Sequence, residues 1–277
     1  MNKEVIQLFF NDNKNRFSPE TVRAYNIALT QFFSWCEKNY GAVKTKDIRD
    51  WMSYLTDDGL KPRSVELKLT AVKSFYNYCM EENILEKNPA QRVRTPKKED
   101  SLPYYLDKRQ LALFQELLKD NLRDRAILET LYATGVRISE LLNIRLEDIK
   151  WDTRQIWIRK GKGNKERFVL FTHDCAERLK PYLDQRSFNS EYLFSNNRGE
   201  PLSRDLVELL FREYSAILGF RVTPHTMRHT FAAHLAEKGM TFTYIQELLG
   251  HANINSTRIY TRLMNHARKK KYDQFQI

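Results

Sequence analysis

The sequence predicts a mainly α-helical protein with one small β-hairpin, organised as two domains: a helical bundle and then a mixed α/β domain. Apolar residues recur at spacings of three and four over most of the chain, which is typical of amphipathic helices. The period changes around residues 155–171, where an alternating stretch, 155–159, and a short apolar run, 168–171, flank a glycine-rich turn. A proline-rich, charged stretch near residue 100 indicates a boundary between the two domains.

The composition favours a globular protein with an anionic partner. The chain has 277 residues, of which 42% are hydrophobic, and it carries a net charge of +11. Basic proteins of this size often bind nucleic acid or anionic surfaces. The three cysteines form no CxxC pair, which excludes a disulfide framework and a cysteine zinc site. The absence of a long apolar run and of a signal-peptide pattern predicts a cytoplasmic protein with no membrane partner.

The first hundred residues predict a helical bundle over residues 1–88. Ser18 and Pro19 are a favourable N-cap and first helical residue, and an apolar face follows at Val22, Tyr25, Leu29, Phe32 and Cys36. A shorter helix ends at Gly59 and carries Ile48, Trp51, Met52 and Leu55. Pro62 begins a third helix, whose apolar stripe is Val65, Leu69, Val72, Tyr76 and Cys79.

A linker is predicted over residues 89–103, because three prolines and many charges interrupt the periodicity there. The second domain then covers residues 104–277, beginning with a helix capped by Asp107 and a second helix over 123–133. Two strands, 155–159 and 168–171, predict the hairpin, with Lys162 in its turn. Further helices are predicted over 173–186, 203–218, 224–238, 243–249 and about 255–268.

Two basic stretches are candidates for binding an anion. In "ATGVRISEL", Arg137 stands at the start of a short helix, where free backbone N–H groups favour an anion. The alternative is a surface arginine paired with Glu140. In "RKGKGNKERF", the hairpin turn is surrounded by Lys160, Lys162, Lys165 and Arg167. A lysine there can reach a phosphate or donate a proton, or the group is simply a solvated turn; the spacing is not that of a Walker A loop.

The stretch "TPHTMRHTFAAHL" admits two interpretations. His225 and His229 stand four apart, which puts both on one face of a helix and is compatible with zinc. However, Thr226 stands where a zinc protease needs glutamate, and Arg228 would repel a dication. An anion site is the better interpretation, because His225 and Arg228 can both donate to phosphate oxygens. His234 is interpreted as structural.

A last stretch, "LLGHANINSTRIYTRL", contains His251 and Tyr260. Gly250 ends one helix and Ser256 can cap the next. Nothing local distinguishes Tyr260 from an ordinary helix tyrosine, so this stretch alone predicts no chemistry.

Taken in order, these stretches resemble the tyrosine recombinase (phage integrase-like) family. The nearest likeness is to its compact Xer-type members and to transposon-borne tyrosine resolvases. The resemblance covers roughly residues 102–265. It rests on residues that agree in type, order and spacing: Arg137 in "TGVRISEL", Lys162 in "GKGNKER", His225 and Arg228 in "HTMRH", His251 in "LLGH" and Tyr260 in "IYTRL". The first hundred residues resemble the family's core-binding, DNA-clamping domain more loosely.

The resemblance implies a site-specific DNA recombinase that cuts and rejoins duplex DNA through a 3′-phosphotyrosyl intermediate. It implies no metal, no cofactor and no ATP. Tyr260 would be the nucleophile and Lys162 the general acid for the leaving 5′-oxygen. Arg137 and Arg228 would hold the non-bridging oxygens. His225 would assist as base, and His251 would be a further donor.

The resemblance also implies partners: double-stranded DNA with a specific core site, and a homotetramer acting on two such sites. A related recombinase or an accessory protein can take part. In the cytoplasm the protein would be nucleoid-associated when bound to DNA. Two alternatives are a non-catalytic DNA-binding regulator on the same fold and a DNA-relaxing, type IB-like topoisomerase. The complete set of six residues argues against the first, and the short two-domain layout argues against the second. The task itself stays open between dimer resolution, cointegrate resolution and integration.

Overall fold

The computed structural model describes residues 2–95, 103–159, 166–186, 188–250 and 272–273. The chain forms two compact units, Met1–Glu99 and Asp100–Ile277. The domain limits that we expect from the sequence, 1–88, 89–103 and 104–277, stay a prediction. No helix among the described residues is long and apolar enough to cross a membrane.

The first unit is a bundle of helices: α1 (Asn2–Asp12), α2 (Pro19–Cys36), α3 (Thr45–Asp57) and α4 (Pro62–Glu81). Helix α2 begins as its sequence predicts, because Ser18 Oγ accepts a hydrogen bond from the Thr21 backbone N–H at 3.2 Å. After α3 the chain turns at Gly59, whose φ of 83° lies in the left-handed region. Helix α1 was not individually predicted.

The core of this unit is formed by the apolar faces that the periodicity predicts. Every residue of the α4 stripe is buried, and Phe32 of α2 packs against Trp51 of α3 with ring centroids 4.9 Å apart. Ala90 and Val93 also pack into this core. The beginning of the proline-rich stretch is therefore held against the first unit by burial of its small apolar residues.

The second unit is mainly helical. Its helices are α5 (Lys108–Leu117), α6 (Leu122–Thr134), α7 (Ile138–Leu142), α8 (His173–Asp184), α9 (Arg204–Leu218), α10 (Pro224–Glu237) and α11 (Phe242–Leu249). Helices α6, α8, α9, α10 and α11 agree with their predicted bounds to within two residues at each end, and α5 begins directly after its predicted cap, Asp107. The helix predicted at about 255–268 lies outside the described residues.

A three-stranded antiparallel sheet contains the predicted hairpin. Its strands are β1 (Ile149–Lys150), β2 (Gln155–Ile158) and β3 (Arg167–Leu170), in the order β1-β2-β3. Ile156 pairs with Val169, and both are buried. Strand β1 was not predicted, because two residues are too few to show alternation. The turn with Lys162 lies outside the described residues.

Close packing around Gly135 brings together the helix ends that surround the candidate site. Gly135 ends α6 with a φ of 62°, and a Cβ there would lie 2.3 Å from Cδ1 of Phe231 on α10 and 3.1 Å from Leu249 at the end of α11. Only glycine allows both the left-handed turn and this approach. The ends of α6 and α11 are thereby brought against α10, next to the beginning of α7.

Candidate active site

Arg137 lies at the N-cap of α7, as the sequence predicts. Its backbone N–H donates to Glu140 Oε2 at 2.8 Å, and its Nη1 donates to Oε1 of the same carboxylate at 2.7 Å. Nη2 reaches the carbonyl of Gly250 at 3.4 Å. The Arg137–Glu140 pair considered as an alternative does form, but the Glu140 side chain is only 1% exposed and that of Arg137 is 24% exposed. The pair is therefore a buried clamp on Arg137 rather than a solvated surface contact.

Glu140 is shared between two arginines. Arg167, the first residue of β3, donates through Nη1 to Oε1 at 3.0 Å and through Nη2 to Oε2 at 2.9 Å. Four hydrogen bonds thus occupy the acceptor positions of a single carboxylate. Burial alone would raise the pKa of Glu140, but the hydrogen bonds from Arg167 and from the Arg137 backbone outweigh it and hold that pKa at about 2. The carboxylate is ionised at neutral pH.

Helix α10 carries the other described candidates. Thr223 Oγ1 accepts from the Thr226 backbone N–H at 2.9 Å, which fixes the first turn of the helix. His225 is exposed in that turn, and its ring lies edge-on to His229 with centroids 4.3 Å apart. Arg228, one turn further, is only 3% exposed.

The Arg228 guanidinium joins the ends of two other helices. It donates to the carbonyl of Gly135, at the end of α6, and to that of Leu249, at the end of α11, the latter at 2.6 Å. Carbonyls at helix C-termini have no partner within their helix and carry the negative end of its dipole. A buried cation is therefore stabilised there, and its position is set by the backbone of both helices.

Three of the predicted site residues meet at one cavity. Arg137, His225 and Arg228 all line a space of about 800 Å³. Further arginines line it from α9 and the turn after α9, where the charged lining residues are Arg204, Glu208, Arg212 and Arg221. Arg204 is paired with Glu208 at 2.7 Å. The cavity is strongly electropositive, which suits a phosphate ligand.

The other three predicted site residues, Lys162, His251 and Tyr260, lie outside the described residues. The structure does describe residues that are close to them in the sequence. Arg167 follows the hairpin turn, and Gly250 directly precedes His251. Both contact the Arg137–Glu140 pair, Arg167 through the carboxylate and Gly250 through its carbonyl.

Some site residues were missed by the sequence analysis. For Glu140 the sequence indicates only a surface pair with Arg137, although its position three residues after an N-cap arginine is the spacing of a capping box. The sequence places Arg167 beside the lysines of the hairpin turn and carries no signal for its contact with Glu140. Arg212 and Arg221 carry no sequence signal, because only the folded chain brings α9, which packs against α7, and the turn after α9 to the cavity.

His234 lies apart from the cavity, buried on α10, with Nδ1 3.0 Å from the hydroxyl of Tyr132. Burial lowers the pKa of this histidine. This surrounding agrees with the interpretation of His234 as structural. Within the described parts of the chain, no group of three or more His, Cys, Asp or Glu side chains could hold a metal ion.

Comparison with known proteins identifies the family. The Phage integrase family matches residues 105–266, and the phage integrase N-terminal SAM-like domain matches residues 6–83. Tyrosine recombinase XerC of Staphylococcus aureus (strain JH9) is 37% identical, over 97% of this chain and 95% of the relative. The XerC protein of Staphylococcus carnosus (strain TM300) is 36% identical, over 92% of this chain and 90% of its own length.

Solved structures agree with this assignment. The XerA recombinase structure has a TM-score of 0.57 and 30% identity, covering all of this chain and 99% of the other. XerH recombinase bound to its palindromic difH substrate has a TM-score of 0.79, covering all of this chain and 85% of the other. At 21% identity, the second likeness concerns the fold alone. The predicted fold is confirmed, and the chain belongs to the phage integrase family as a tyrosine-type site-specific DNA recombinase.

Proposed function

We propose that the cavity lined by Arg137, His225 and Arg228 binds the scissile phosphate of double-stranded DNA at a specific core site. The observation that carries this proposal is the convergence of the three side chains, since they come from two separate segments and line one electropositive space. Phosphoryl transfer places negative charge on the non-bridging oxygens, and fixed guanidinium groups stabilise that charge without reorganising.

The site is held in place before DNA binds. Among the described residues, Glu140 and Gly250 occupy two of the five N–H donors of the Arg137 guanidinium. The remaining donors of this planar group are then available for a phosphate in the cavity. Arg228 is held from behind by two backbone carbonyls. Both guanidinium groups are thus oriented by protein contacts. A phosphate bound by oriented groups is held in a fixed geometry for reaction, which charge attraction alone does not provide.

The family resemblance implies the chemical roles, and the residue types suit them. Tyr260 Oη attacks the phosphorus and forms the 3′-phosphotyrosyl link, while His225 takes the phenolic proton. The bond to the 5′-oxygen breaks, and Lys162 gives that oxygen its proton. His251 donates to the phosphate. Attack by the 5′-hydroxyl of a second strand reverses the step, so the energy of the cleaved bond is retained. The scheme uses no metal, cofactor or ATP.

The proposal also covers the oligomeric state, the location and the domain limits of the protein. The protein acts as a homotetramer on two DNA sites, alone or with a related recombinase or accessory protein, in the cytoplasm. Residues 1–88 form the core-binding domain, 89–103 the linker and 104–277 the catalytic domain. The family resemblance supports these points, and the mass of the DNA-bound complex measures the stoichiometry. A regulator without catalysis or a topoisomerase is not favoured, since the relatives above are named recombinases.

The proposal is tested by trapping the covalent intermediate. Wild type and Tyr260→Phe are incubated with duplexes drawn from DNA flanking the protein's own gene, in EDTA. We expect a denaturant-resistant adduct with the protein on the 3′ end in wild type and none in the variant, because phenylalanine has no nucleophilic oxygen.

Two results would contradict it. An adduct formed equally by Tyr260→Phe would assign the nucleophile to another residue. Tight, salt-sensitive binding of the same fragments by wild type without any adduct would favour a DNA-binding regulator. The position of a wild-type adduct also maps the core site.

A further inference from the structure

Arg167 connects three parts of the second unit through one guanidinium group. Two of its nitrogens form the bidentate pair with Glu140 on α7. Its Nε donates to the Leu248 carbonyl on α11 at 3.3 Å. Its own backbone lies in β3, paired with Ile158 of β2. The hairpin, the beginning of α7 and the end of α11 therefore share this side chain.

The fit of Arg167 against α11 is tight. A Cβ on Gly250 would lie 2.9 Å from Cζ, Nε and Nη1 of Arg167. The guanidinium is therefore packed directly on the glycine whose carbonyl receives Nη2 of Arg137. The Arg167 side chain is only 13% exposed. Such packing holds the first residue of β3 against the end of α11.

Arg167 does not line the cavity, so its contribution to the reaction has to be indirect. Glu140 bears one negative charge between two guanidinium groups, and its own oxygens are fully used by them. A bidentate arginine fixes both the distance and the plane of its partner, which a lysine cannot do. The Arg167–Glu140 pair is therefore suited to holding the hairpin in one place relative to Arg137.

We propose that Arg167 is a positioning residue for strand cleavage, which anchors the hairpin that carries Lys162 to the Arg137–Glu140 pair. The inference rests on the proposed function, because it concerns the same phosphate. Lys162 stands five residues before Arg167 in the sequence. Without this anchor the general acid is misplaced while the DNA-binding surface is kept. Proton transfer to the leaving 5′-oxygen then becomes the slow part of cleavage.

Single-turnover cleavage by three variants tests the inference. Arg167→Met keeps an unbranched side chain and removes its charge and hydrogen-bond donors. Arg167→Lys keeps the charge but cannot form the bidentate pair with Glu140. Arg159→Met is the matched control, because Arg159 flanks the same hairpin and is ion-paired to Asp148 and Glu147 instead of Glu140. DNA affinity and thermal unfolding are measured for each variant.

We expect Arg167→Met to cleave about 100-fold more slowly than wild type while its Kd for DNA changes by less than about threefold. Arg167→Lys should be slowed about tenfold, as a partial rescue. Arg159→Met should remain within about threefold of wild type in both measurements.

A modified substrate separates positioning of the hairpin from general loss of structure. Replacing the leaving 5′-oxygen by sulfur lets the P–S bond break with release of a thiolate, which needs no proton. On this substrate the defect of Arg167→Met should shrink to about tenfold or less, because the general acid no longer matters. If Arg167→Met does not fold, the same comparison is made with Arg167→Lys.

Equal slowing on the oxygen and sulfur substrates would overturn the inference, as would full activity of Arg167→Met. Weakened DNA binding that accounts for the whole defect would also overturn it. Failure of the proposed function is distinguishable, because wild type itself would then give no adduct on either substrate.

Discussion

Glu140 and its two arginines show how one buried side chain orients a candidate active site. The carboxylate belongs to α7 and neutralises only one of the two guanidinium charges beside it. The remaining positive charge is held at the cavity wall through Arg137. A buried ion pair contributes little net stability when complete, but it is costly to break, because one charge is then left without a partner.

The charge of Glu140 gives a pH dependence of stability. Its folded pKa of about 2 lies below the ordinary value of 4.5, so its contribution is fully present above about pH 4.5 and is lost as the pH falls towards 2. The difference between these two pKa values corresponds to roughly 3 kcal/mol of folding stability at neutral pH. We expect Glu140→Gln to unfold in urea with about 3 kcal/mol less stability at pH 7, and to lack the loss that wild type shows between pH 5 and 2.

Parallel acid titrations of stability for wild type and Glu140→Gln would contradict this account. The comparison is internally controlled, since every other carboxyl group is present in both proteins.

Helix ends position the three candidate residues, and one face of α9 forms another wall of the cavity. Arg137 and His225 stand at the beginnings of α7 and α10, and Arg228 binds carbonyls at the ends of α6 and α11. The glycines that end α6 and α11 permit this convergence, since each is in the left-handed conformation and in close contact with a side chain. The geometry of the site therefore depends on helix termination as much as on the polar residues.

Gly135→Ala tests this dependence, with Gly219→Ala as the matched control. Both glycines end a helix with positive φ, 62° and 70°, but a Cβ at Gly219 would meet nothing within 4 Å. We expect Gly219→Ala to cost about 1 kcal/mol from backbone strain alone. Gly135→Ala should cost about 2–4 kcal/mol, because Phe231 must also move.

Urea unfolding of both variants measures the two costs. Equal destabilisation would show that the contact of Gly135 with Phe231 and Leu249 is unimportant. A larger loss in Gly135→Ala should be accompanied by slower DNA cleavage, since the Gly135 carbonyl holds Arg228.

The protein as a whole combines a net charge of +11 with a cavity that concentrates arginines. Phosphate neutralisation releases counterions from DNA, so affinity that rests on these charges falls steeply as salt is raised. Arg212 and Arg221 line the cavity beside the candidate residues, which makes them candidates for contacts with phosphates flanking the scissile one.

We expect Arg221→Ala to weaken DNA binding and to reduce the slope of log affinity against log salt by about one. The loss should be uniform over DNA sequences, because a phosphate contact carries no base information. The matched control is Arg198→Ala, since Arg198 is an exposed arginine that lines a different cavity. An unchanged salt slope in Arg221→Ala, or an equal change in the control, would show that Arg221 does not contact a DNA phosphate.

The local sequence pattern was sufficient to predict most elements of the fold. The α4 stripe, the Ser18 and Thr223 caps and the β2–β3 hairpin could all be predicted, because each depends on residues only a few positions apart. Strand β1 escaped prediction because its pairing partner, rather than its own sequence, makes it a strand. The order and spacing of the candidate residues were also sufficient to indicate the family.

The sequence by itself thus indicated most of the helices, the β2–β3 hairpin, the family and six candidate residues, of which three are placed by the described structure. Only the tertiary structure decided that Arg137, His225 and Arg228 share one cavity, that Glu140 is a buried clamp, and that Arg167 reaches it from the hairpin. Arg228 binds carbonyls 93 and 21 residues away along the chain. Such contacts depend on burial and on the crossing of distant helices, for which no short stretch of sequence carries a signal.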